Sequence, residues 1–233
     1  MRGFLSFPVP ALLAAFVITS GAFDVAGGEK QEPPSPNISF PLPSSGLLRD
    51  QKKQVDDRGG WLYQSFLDAE TEEGVIALYR KLLEDYRRYS DLTYQVYVAE
   101  SCNRFFAPLM GNRAVPRVEN MRRVVRVSVA KALSGMKRMA LVPCYSLMVR
   151  DDNQAVRYMG WKAFYDVRKK ICQSSSQNVE AFFKLIADAL AGEDNALVID
   201  PVLAIVDFNS EENRDIRGRF TADVRRGLLR AIA

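Results

Sequence analysis

Two stretches of this chain carry one pattern 31 residues apart. Val125-Arg126 is followed by Lys131-Ala132-Leu133, and Val156-Arg157 by Lys162-Ala163-Phe164. Each reads as an amphipathic helix that opens on a Val-Arg pair and buries Ala-Leu or Ala-Phe two turns later, because residues at 3.6-residue spacing share a helix face. A helix pair that recurs at roughly 30–47 residues buries its apolar face by stacking on the next pair. The repeat predicts an all-α chain, an α-solenoid of stacked antiparallel helix pairs.

From about Gly46 the periodicity is helical almost throughout. Thr71-Glu72-Glu73 opens a helix that continues to about Ser90, with acidic residues suited to its first turn. Asp91 is placed to cap the next helix, which runs to about Phe106 or Pro108. Gly111 to Pro116 reads as a turn. Helices are then expected over 118–135, 137–149, 154–171, 178–191, 196–208 and 214–231, with a break at Pro201. The last of these has Phe220, Val224 and Leu228 on one side and Arg217, Arg225 and Arg226 on the other, the pattern of a solenoid cap.

Pro143, Leu147, Asp151, Asn153, Val156, Arg157, Ala163 and Phe164 stand in the register of the HEAT repeat. In that pattern a proline starts the first helix, an aspartate occupies the turn, and a Val-Arg pair opens the second helix. Over 118–171 the chain resembles the HEAT-repeat family, and more weakly over 178–208. In this register Asp151 and Asn153 cap the second helix, and Arg157 reaches turn groups or the acidic residue of a neighbouring repeat. The resemblance implies a curved superhelix that holds proteins or nucleic acids, and it implies no catalytic residues.

Composition removes several chemistries. There is no histidine among 233 residues, so Ser-His-Asp and Cys-His nucleophile systems cannot be assembled, and the commonest metal ligand is missing. Cys102, Cys144 and Cys172 are far apart without C-x-x-C spacing, which argues against structural zinc. They read as small buried apolar residues, with at most one disulfide among them. The acidic pairs Asp151-Asp152 and Glu193-Asp194 lie in turns and read as caps. No phosphate-binding or dinucleotide-binding glycine motif is present. No catalytic residue, cofactor or metal is assigned.

The first 22 residues read as a secretory signal peptide: Met1-Arg2-Gly3, an uncharged apolar run from Phe4 to Ile18, then small residues Ser20-Gly21-Ala22. The apolar run is short for a membrane span of about 20 residues. Export to the periplasm or cell surface is expected, with a retained N-terminal anchor as the alternative. Residues 23–45 read as a disordered Pro-rich linker, with Glu-Pro-Pro-Ser-Pro at 32–36. A spacer is the first reading of that run and a ligand for a proline-reading module the second. Asn37-Ile38-Ser39 fits the glycosylation sequon. Residues 46–233 form the helical-repeat domain.

The net charge of +4 is unevenly spread. Residues 113–170 hold 14 Lys/Arg against 4 Asp/Glu, whereas 171–213 hold 1 against 8. A basic face is expected from Arg122, Arg126, Lys137, Arg138, Arg157, Lys162 and Arg168, which would attract an anionic partner. Tyr86, Tyr97 and Trp161 are candidate aromatic contacts, and Tyr79 shares the spacing of the first two. These features point to an exported non-catalytic scaffold for protein–protein interaction. One alternative is a basic nucleic-acid-binding or DNA-glycosylase-like protein, made improbable by export. Another is a membrane-tethered helper whose basic face meets an anionic polymer or lipid surface.

Overall fold

The computed structural model of the chain describes residues 31–40, 42, 46–111, 119–207 and 209–214. The chain divides into two units between Gln31 and Glu32, and the described helices all belong to the unit that begins at Glu32. The predicted signal segment and the predicted helix 214–231 lie outside the described residues, apart from Arg214.

Eight α-helices account for the described part of that unit, and no strand occurs among the described residues. They are α1 (Arg49–Asp68), α2 (Glu72–Arg87), α3 (Leu92–Met110), α4 (Glu119–Met136), α5 (Val142–Met148), α6 (Gln154–Cys172), α7 (Ser176–Gly192) and α8 (Ala196–Val206). A 3-10 turn at Met139–Leu141 leads into α5, so the helix expected over 137–149 is shorter and has a tightened entry. None of the described helices is long and apolar enough to cross a membrane.

Side chains at the helix starts explain where the elements begin. Thr71, Asp91, Asn153, Ser175 and Asn195 each accept a backbone N–H of the first turn, which satisfies one of its orphan donors. Pro143 sits at the start of α5, where its missing N–H costs nothing. Pro201 does not break the chain as expected; α8 passes through it. The physical reason is burial on the opposite side, where Val198, Val202, Ile205 and Val206 pack into the core. That packing offsets the roughly 3 kcal/mol cost of an interior proline.

Packing follows chain order in two layers. α2, α4, α6 and α8 contact one another in succession, and α1, α3 and α5 do the same. Consecutive helices pack across the layers as α1–α2, α3–α4, α5–α6 and α7–α8. Close approach needs glycine at two points. A Cβ on Gly160 would lie 2.9 Å from Met148 Cβ and Val149 Cγ1, and one on Gly59 would lie 2.9 Å from Ser101 Oγ. Between α5, α6 and α7 an aromatic chain fills the core: Tyr145–Phe164 at 5.9 Å, Trp161–Phe164 at 5.7 Å and Phe164–Phe182 at 5.2 Å between ring centroids. Cys102, Cys144 and Cys172 are buried, and burial pushes the Cys102 thiol up to about 12.

The Pro-rich segment departs from the expected free linker. Residues 32–40 are neither helix nor strand, but they lie against α1 and α2, with Pro36 and Ile38 buried. Composition ruled out helix correctly. It could not reveal that Arg58, Lys81 and Tyr89 offer an extended backbone a matching surface.

Candidate interaction surface

The two arginines of the repeated Val-Arg pair make equivalent connections. Arg126 of α4 is buried and paired with Asp151 and Asp152 in the turn before α6. Arg157 of α6 forks onto Glu193 in the turn before α8, through Nε to Oε2 at 2.7 Å and Nη2 to Oε1 at 3.1 Å. Arg157 also donates to the carbonyls of Asp151 and Asp152 at 3.0 and 3.1 Å. Each arginine thus ties its helix to the acidic turn that introduces the next helix of the same layer. The Asp151 carboxylate accepts the Asn153 N–H at 2.8 Å, and Asn153 caps α6, as the sequence register implies. The arginine beside it holds the Glu193 carboxyl below its ordinary value, and Asp151 carbonyl contacts keep the fork in place.

These ties remove several residues from the expected basic face. Arg126 is 3% exposed and Arg168 5% exposed. Arg168 donates to Asn213 Oδ1 at 2.7 Å and to Glu212 Oε2 at 3.1 Å, and its guanidinium lies 3.7 Å from the Tyr165 ring centroid. Arg138 donates through Nε to the Tyr86 hydroxyl at 2.8 Å and also bonds Gln95. Lys137 pairs with Asp166 at 3.2 Å. Arg122 is half-buried, and Lys162 is exposed. The density of arginine in 113–170 reflects internal joints as much as surface charge.

The aromatic candidates separate too. Trp161 is 1% exposed and belongs to the core, so it offers no stacking platform. The buried Tyr86 hydroxyl donates to the Met136 carbonyl at 2.9 Å and pins α2 to the end of α4. Tyr97 is half-buried on α3 and donates to Asp56 of α1 at 2.9 Å. Helical spacing placed these tyrosines on similar faces, but each hydroxyl is taken by a different neighbour.

Among the described residues, exposed side chains form a ridge along the α2–α4–α6 layer. α6 exposes Gln154, Tyr158, Lys162, Asp166 and Lys170 at four-residue steps. α4 exposes Arg123 and Lys131, and α2 exposes Glu73, Ile76, Arg80 and Glu84. Lys131 Nζ stands 5.5 Å from the Tyr79 ring centroid, which links the α2 and α4 ridges. Ile76 is 44% and Tyr158 39% exposed. The ridge combines cations and the carboxylates of Glu73, Glu84 and Asp166 with the exposed side chains of Ile76 and Tyr158, and tyrosine is favoured where proteins meet. Sequence reasoning missed Lys131 and Ile76, which lie on the sides of α4 and α2 away from their buried residues.

A cleft of ≈ 320 Å³ opens beside the N-terminal half of α6, lined among others by Arg150, Arg157, Trp161, Leu185 and Glu193. Arg157 and Glu193 are already engaged with each other, so their charges are satisfied before any ligand arrives. No group of three or more histidine, cysteine, aspartate or glutamate side chains able to hold a metal occurs among the described residues. No protein-family model matches the chain, and neither the curated proteins nor the solved structures provide a match.

Proposed function

We propose that the chain is an exported, non-catalytic α-solenoid scaffold that binds a protein partner on the exposed ridge of α2, α4 and α6. The two-layer succession of helices, with Arg126 and Arg157 clamping successive acidic turns, is the observation that carries this reading. Such a stack keeps side chains on one layer in fixed register over several helices, which is what a broad contact surface requires. The N-terminal segment supports export, and Arg123, Lys131 and Lys162 favour an acidic partner surface approached through salt-sensitive attraction. The nucleic-acid reading needs a continuous cationic surface, and Arg126, Arg138, Arg157 and Arg168 are engaged inside the fold.

The test is capture from the exported fraction of the native host with the purified chain as bait. The triple variant Arg123→Glu, Lys131→Glu, Lys162→Glu is expected to lose the captured partner at least tenfold, while Glu100→Lys on α3 retains it. Equal retention by both variants would refute the ridge. Duplex DNA titrated at two salt concentrations is expected to show no salt-sensitive binding at micromolar protein. A mature N-terminus near Phe23 in the periplasmic or external fraction is the expected result for export; an intact Met1 in the cytoplasm would contradict it.

A further inference from the structure

Residues 32–40 contact the helices as a bound peptide would. Four bonds engage their backbone. Arg58 Nη1 donates to the Pro33 carbonyl at 2.9 Å, and the Tyr89 hydroxyl donates to the Pro36 carbonyl at 3.1 Å. The Ile38 N–H donates to the Tyr89 hydroxyl at 3.0 Å, and the Asn37 N–H donates to Gln54 Oε1 at 2.9 Å. Pro33 and Pro36 are three residues apart, one turn of a polyproline II helix, so such a peptide presents both carbonyls along one edge. These are groups that any extended peptide offers.

Side chains add selectivity. The Glu32 carboxylate bridges Arg58 at 2.7 Å and Lys81 at 2.5 Å, and these cations hold it below its ordinary value. Pro36 roofs a pocket formed with Val55, Leu62, Leu82, Tyr94 and Val98, where ≈ 20 Å³ remains unfilled. Ile38 is 4% exposed, and the Phe40 ring lies 4.9 Å from that of Tyr89.

The helices build the receiving side without help from the segment. Arg58 is fixed from behind by the buried Asp85, Nε to Oδ2 at 2.7 Å. The Trp61 ring lies 4.7 Å from the Arg58 guanidinium and 5.3 Å from Lys81 Nζ. A preorganised cation pair beside an aromatic-walled groove is a recurring solution for reading proline-rich peptides.

We propose that the groove of α1, α2 and α3 is a recognition site for extended proline-containing peptides. The ligand carries a carboxylate four residues before a buried proline and an aliphatic residue two beyond it. Residues 32–40 fill this site in cis. Only eight residues, 41–48, separate the segment from α1, so its effective concentration is on the order of millimolar and it outcompetes weak ligands in trans. This site shares α2 with the ridge but uses different side chains, and it stands or falls independently of the scaffold reading.

The experiment uses the full chain and a fluorescein-labelled peptide of residues 32–40, followed by anisotropy. Glu32→Ala with Ile38→Asp weakens the cis contact and is expected to raise peptide affinity at least tenfold over the unaltered chain. Glu32→Ala alone, which keeps the apolar anchor, gives an intermediate gain. Adding Tyr89→Phe removes two backbone bonds while keeping the ring, and should weaken peptide binding by roughly tenfold. A peptide with Glu32→Lys should not compete. The proposal is overturned if neither released chain gains affinity while its helical circular dichroism is unchanged. It is equally overturned if the Glu32→Lys peptide competes as well as the native sequence, because the groove would then read no carboxylate.

Discussion

Lys137 illustrates how one side chain can matter through its backbone. It follows α4 with φ of 53°, the left-handed conformation that usually ends a helix on glycine. Holding a lysine there costs about 1–2 kcal/mol, whereas its exposed pair with Asp166 contributes less than about 1 kcal/mol. Lys137→Gly is therefore expected to stabilise the fold by about 1 kcal/mol, read as a rise in the urea midpoint; a fall would mean the ion pair dominates. Gly160→Ala should do the reverse. Its Cβ would press on Met148 and Val149 at 2.9 Å, and the overpacking is expected to cost about 1–3 kcal/mol despite alanine's better helix propensity. Residue roles set within a few positions were legible in the sequence, as with the caps Asp91 and Asn153. Roles set by distant partners were not: Arg168 meets Asn213 across 45 residues, and nothing local marks an arginine for burial.

At the scale of elements, the arginine ties between helices set the order of stabilities. Arg126 is buried with Asp151 and should lose about 3–5 kcal/mol on truncation to alanine, because an unpaired carboxylate is left behind. Arg157→Ala should cost less, since its side chain is 20% exposed. Chemical denaturation of the two variants checks the ordering, and equal losses would argue against it. The Arg157–Glu193 tie also has a pH signature. Glu193 has a folded pKa below its ordinary 4.5, so its stabilisation is complete above that value and fades as pH falls through the folded pKa. The melting-temperature gap between the unaltered chain and Glu193→Gln should shrink on acidification below pH 4.5; a constant gap would show that Glu193 acts without its charge. Helix spans were largely readable from periodicity and caps. Pro201 was misleading because a local rule was overridden by packing against α6, which periodicity does not report.

At the scale of the described residues, the chain forms an all-helical body in which α2, α4, α6 and α8 contact one another in succession. The Val-Arg pattern was visible in the sequence, and Arg126 and Arg157 each tie a helix to an acidic turn. The expected basic face was less legible: local charge density does not distinguish a joint from a surface, and most of the named arginines serve as joints. The ridge of Ile76, Arg80, Arg123, Lys131, Tyr158 and Lys162 is the contact surface we propose. The most direct measurement is site-specific photo-crosslinking in the native host, with the crosslinker placed at Tyr158 on the ridge or at Glu100 on α3 of the other layer. A discrete crosslinked product is expected at Tyr158 and none at Glu100; a product at Glu100 alone, or equal products at both, would contradict the ridge as the binding surface.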